Sequence, residues 1–156
     1  MIAILTSFII LVVYIVAVRW YTNGIPSSLS ETYYTMGRLG WLFPLCMCAV
    51  SATLFPVWVK ISDGHEYLSF LACSSLFFVA LTPSYRADLH KVVHYTAAVV
   101  CGVCAVMWQI FEGLWDVTLF FGFVGGMLVL QNNDKYMFIL ECAIVLSLYT
   151  NIIRVL

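Results

Sequence analysis

Charge is the scarcest property of this chain. Only 10% of its 156 residues are Asp, Glu, Lys or Arg, against roughly a quarter in an ordinary soluble domain. So little polar surface cannot cover a core of this size in water. Basic surplus is missing too. Seven Lys and Arg against eight Asp and Glu leave a formal charge of -1, which excludes the phosphate-neutralising surface that nucleic acid requires. A glycine-rich nucleotide loop, a pair of histidines spaced to hold haem across a bilayer, and a detectable internal repeat are all lacking. So is a disulfide framework. Cys46, Cys48, Cys73, Cys101, Cys104 and Cys142 all fall within apolar runs. The C-x-x-C of Cys101 and Cys104 stands mid-run with no βαβ context, and reads as packing.

Apolar sequence fills the chain instead. Hydrophobic residues make up 63%, and mean hydropathy is +1.01. A membrane helix needs about 20 apolar residues. Runs of that kind are predicted at about 2–18, 39–59, 67–82, 92–111, 114–130 and 137–153. The expected fold is therefore all-α: a single polytopic transmembrane domain of about six helices, since helices close their backbone hydrogen bonds within each segment. Met1 to Val18 has no basic region before it and no small-residue cleavage site after it, so it reads as a retained first span. The third run is the shortest. Its Ser69, Ala72, Cys73, Ser74 and Ser75 suit a helix packed among others. Pro44 and Pro56 predict a bent or locally opened second helix.

The connectors fit this reading. All five tryptophans (Trp20, Trp41, Trp58, Trp108 and Trp115) lie near predicted span ends, as in an aromatic belt. Alternating spans put Arg19, Arg38, Arg86, Lys91 and Lys135 on one face and Lys60 and Arg154 on the other. The positive-inside rule then places both termini on the non-cytoplasmic side. In the long first connector, Ser28 and Glu31 form a capping-box pattern after Pro26, with Leu29, Tyr33 and Met36 at helical spacing. This predicts a short interfacial helix between the first two spans.

Polar residues at membrane depth are costly and by default mark function. His90 and His94 stand four apart on one face at the start of the fourth span, continued by Ala97, Cys101, Ala105, Trp108 and Glu112. Glu141 lies about one turn inside the sixth span from the same membrane face. If those helices are neighbours, His90, His94 and Glu141 converge, with Asp88, Glu31 and Arg38 nearby. Three readings stay open: a structural set of polar pairs, a ligand or proton site, and a metal site for which zinc is the fitting ion. His65 belongs on the opposite face, with Asp63, Glu66, Glu112 and Asp116. Gly122 and Gly126 form G-x-x-x-G on the fifth span. That pattern permits a close contact within the bundle or between copies in a homo-oligomer.

The run Ser62-Asp63-x-His65 followed by His90-x-x-x-His94 superficially resembles the membrane hydrolase superfamily called CREST, whose members use Ser, Asp and three His around zinc. That family has seven spans and carries its H-x-x-x-H in the last. In overall shape the chain is similar to small six-span membrane proteins of unassigned function, including the DRAM-type group. Three functions follow as expectations. The first is a non-enzymatic membrane protein that binds or moves a small molecule, ion or lipid. The second is a metal-dependent hydrolase in which zinc activates water and Asp88 or Glu31 acts as base. The third is an oligomeric ion or proton channel.

Overall fold

A computed structural model describes residues 1–84, 86, 88–131 and 133–156, with the Asn133 side chain left undescribed. The fold is all-α, with seven helices among these residues: α1 (Ile2–Thr22), α2 (Thr32–Thr35), α3 (Leu42–Ile61), α4 (Glu66–Leu81), α5 (Asp88–Phe111), α6 (Trp115–Gln131) and α7 (Tyr136–Val155). Four segments are long and apolar enough to cross a membrane: Ile2–Thr22, Gly37–Ile61, Asp88–Phe111 and Tyr136–Val155. The apolar helices α4 and α6 are shorter, with 16 and 17 residues. At 1.5 Å per residue they reach about 25 Å, somewhat less than the roughly 30 Å of a hydrocarbon core.

Each long helix divides its sides between protein and surroundings. On α1, Ile4, Ser7, Leu11, Tyr14 and Val18 are buried at a spacing of three and four, while Ile9, Val13 and Val16 are more than half exposed. An outer surface of that kind is stable only against hydrocarbon. This is a helical integral membrane protein.

Helix α3 lies at the centre, between α1 and α4, and also touches α7; α5 packs on α4 and α7, and α6 on α7. Helix α4 turns its small residues inward as its composition predicts, with Ser69, Ala72 and Cys73 buried. Ser51 on α3 donates to the Cys73 carbonyl at 2.8 Å. The prolines of α3 are not equivalent. Pro44 falls in the opening turn, where no N–H partner is lost, and only Pro56 lies in the interior. Gly113, at φ 73°, permits the abrupt end of α5.

One expectation needs correction. The tryptophans are not all belt residues: Trp20, Trp41 and Trp115 are exposed, but Trp58 and Trp108 are at most 2% exposed. Their rings meet edge to face at 5.5 Å, because the ends of α3 and α5 face each other inside the bundle. The helix in the first connector is a single turn, Thr32–Thr35. Leu29, Thr32 and Met36 around it are buried, so the segment packs one side against the bundle.

Candidate functional site: a plugged lateral cleft

The connector between α1 and α3 is an inserted plug. Its residues 27–34 are tied to four other parts of the chain. Toward α7, the Ser27 carbonyl accepts the Phe138 N–H at 3.0 Å, and the Leu29 N–H donates to Glu141 Oε2 at 2.6 Å. Toward α5, Ser30 Oγ meets His94 Nε2 at 2.9 Å. Toward α1, Thr32 hydrogen-bonds the Tyr14 hydroxyl. Toward the α4–α5 connection, Arg86 donates to Glu31 Oε1 at 2.8 Å and stacks over the Tyr34 ring at 4.1 Å. Within the plug, the Glu31 N–H donates to Ser28 Oγ at 3.1 Å, the forward half of the capping box read from sequence.

The residues singled out from sequence are thus gathered around the plug rather than around one another. His94 is 2% exposed. Its Nδ1 lies 2.9 Å from the Thr82 carbonyl, which can only accept, so Nδ1 donates and Nε2 is left facing the Ser30 hydroxyl. His90 reaches Ser84 Oγ at 2.9 Å instead. Glu141 takes the Leu29 N–H rather than pairing with Arg38 or Lys91. Asp88 is exposed in the first turn of α5, and Glu31 pairs with Arg86. His90, His94 and Glu141, expected to converge, each have a separate hydrogen-bond partner. Among the described residues no three His, Cys, Asp or Glu side chains come together as a metal-holding group. The physical reason is the plug: Leu29 and Ser30 stand as the partners of Glu141 and His94.

His65 does sit at the other end, as depth along the helices requires. It pairs with Glu112 at 3.4 Å, just past the end of α5 and eighteen residues beyond His94, or about 27 Å. Ser62 also lies there, its hydroxyl given to the Trp58 carbonyl at 2.6 Å. The residues that carry the hydrolase resemblance are therefore divided between two ends of the bundle.

Beside the plug, α1 and α7 part company. They touch at their far contact, where Phe8 meets Tyr149 at 5.1 Å and Ser7 hydrogen-bonds the Tyr149 hydroxyl. From there a lateral cleft opens toward the plug. Its deeper part, about 150 Å³, lies between Leu11, Val12 and Ile15 of α1 and Cys142, Val145 and Leu146 of α7. Its outer part, about 300 Å³, is bounded by Val18, Arg19, Ile25, Pro26 and Phe138. Ile15 and Leu29 line both, so the two parts adjoin. Among the described residues, no charged group other than Arg19 lines the cleft.

Sequence reasoning missed a second polar centre. Asn151 on α7, fully buried, donates to Gln109 Oε1 on α5 at 2.8 Å and to the Leu114 carbonyl at 3.2 Å. Thr118 on α6 donates to the same Gln109 oxygen at 3.0 Å. The available signal was three uncharged polar residues inside apolar runs.

No family model matches the chain, and no curated protein or solved structure is similar to it. Fold and surface alone define its class, a multi-pass helical membrane protein.

Proposed function

We propose that this protein binds a lipid-like amphiphile in the cleft between α1 and α7, with no chemistry performed on it. One observation carries the reading: an apolar cavity of about 300 Å³, adjoined by a further 150 Å³ between α1 and α7, with residues of the plug in its wall. A groove at hydrocarbon depth that opens sideways does not stay empty. Acyl chains fill it at little cost, because they leave one apolar environment for another. The polar groups that would otherwise invite water are spent on the plug itself.

The same reading takes α4 and α6 as crossing helices, giving six spans. Arg19, Arg38, Arg86, Lys91 and Lys135 then mark the plug end as cytoplasmic, with both termini on the other side. The test is mass spectrometry of the full chain released gently from detergent. Co-purified lipid bound at about one per chain, and its loss in Ile15→Trp or Val145→Trp, is the expected result. A wild-type chain that carries no lipid overturns the proposal.

A second reading, assembly of copies through α6, is favoured by the glycines. A Cβ added at Gly122 or Gly126 meets nothing within 4 Å, whereas one at Gly125 lies 3.0 Å from Ala143 Cβ. The internal α6–α7 contact therefore uses Gly125 and leaves the G-x-x-x-G face uncovered.

A further inference from the structure

We propose that the occupant of the cleft is an anionic phospholipid of the leaflet at the plug end. One of its acyl chains lies along α1 and its phosphate meets the Arg19 guanidinium. The inference rests on reading the cleft as a lipid site, and three features narrow the ligand class.

The first is length. The groove runs along α1 from Phe8 to Arg19, eleven residues or about 16 Å, which is half of a roughly 30 Å hydrocarbon core. Its inner end is closed by the Phe8–Tyr149 contact. A site one leaflet deep with a closed floor takes an acyl chain entering from one side of the membrane.

The second is position. Arg19 is followed by Trp20, 87% exposed, and Tyr21, 56% exposed, in the last turns of α1. Exposed aromatic rings at a helix end sit at headgroup level. The guanidinium therefore lies at the depth of the lipid phosphates, at the mouth of the groove.

The third is charge. Arg19 takes no part in the ion pairs formed among the described residues, which join His65 to Glu112, Arg86 to Glu31 and Arg154 to Asp116. Its planar fork of donors matches a phosphate in two-point geometry. Among the described residues, the remaining walls carry no charged side chain. A headgroup that brings its own cation beside the phosphate would find no carboxylate there to receive it, so net-negative headgroups are selected over zwitterionic ones.

The experiment uses the full chain in neutral-detergent micelles. It is titrated with phosphatidylglycerol or phosphatidylcholine of identical acyl chains, and bound lipid is counted by native mass spectrometry. Wild type retains the anionic lipid about fivefold more strongly, the effect of roughly 1 kcal/mol per basic residue near a headgroup surface. Arg19→Gln lowers retention of the anionic lipid to that of the zwitterionic one and leaves the latter unchanged. Arg38→Gln, an exposed basic residue before α3, keeps the preference. Val12→Trp, on the lipid-facing edge of the groove, weakens retention of both lipids. Equal retention of the two lipids by wild type, or an undiminished preference in Arg19→Gln, overturns this inference while the cleft stands as a lipid site. If wild type binds neither lipid, the cleft reading fails as well.

Discussion

The carboxylate of Glu141 accepts the backbone N–H of Leu29 at 2.6 Å, joining positions 112 apart in sequence. Through this bond α7 holds the plug, and the plug in turn forms one end of the lateral cleft. An apolar residue at position 141 would leave the amide of the buried Leu29 unpaired. Glu141→Ala should therefore lower stability by about 1–3 kcal/mol, the cost of an unsatisfied buried donor, whereas Glu141→Gln retains an acceptor and loses less. Thermal unfolding in detergent ranks the variants, and amide exchange at Leu29 should quicken selectively in the alanine variant. Equal melting of Glu141→Ala and wild type would refute the latch.

The two histidines of α5 should behave differently. His94 bonds Ser30 and Thr82 from a buried position, so His94→Ala costs about 2 kcal/mol or more. His90, half-buried with its bond to Ser84, should tolerate alanine within about 0.5 kcal/mol. A shared metal site would make the two substitutions equivalent and would leave about one zinc per chain in the purified protein. Metal analysis together with the two melting curves decides between these outcomes.

Asn151 and Gln109 offer a double-mutant cycle. Interhelical hydrogen bonds in membranes average about 0.6 kcal/mol and reach about 1.7. The coupling between Asn151→Leu and Gln109→Leu should fall in that range, since the bond between them is direct at 2.8 Å. Strict additivity would show that the bond contributes nothing beyond its two separate ends.

The glycines of α6 separate folding from assembly. Gly125→Leu should destabilise the monomer by forcing α6 away from Ala143. Gly122→Leu and Gly126→Leu should leave its melting temperature unchanged, because open space surrounds both positions. If copies associate through this face, the latter pair abolishes the oligomer seen in nanodiscs. Wild-type protein that is monomeric at every lipid-to-protein ratio removes the assembly reading.

Six crossings require the connections on either side of α4 to lie on opposite sides of the membrane. A membrane-impermeant thiol reagent applied from outside should label Asp63→Cys and spare Asp134→Cys. Labelling of both from the same side would mean that α4 or α6 fails to cross.

Composition and period by themselves determined the class of the protein, its apolar helices and part of the inward face of α5. Ala97, Ala105 and Trp108 are buried where the stripe predicts. The reason is that every backbone group in hydrocarbon must be paired within its own segment, so an apolar run of sufficient length has one regular conformation open to it. Depth along a helix also separated His65 from His94 correctly, since 1.5 Å per residue is a local rule. Partners across the bundle were another matter. Which polar atom meets Glu141, which glycine of α6 faces α7, and which tryptophans turn inward depend on how helices distant in sequence are set beside one another. The plug shows this most clearly. A connector with a capping signal reads as a short helix, and only the tertiary structure ties it to α1, α5 and α7. There the hydrogen-bonding needs of its backbone and those of two deep polar side chains are satisfied by each other.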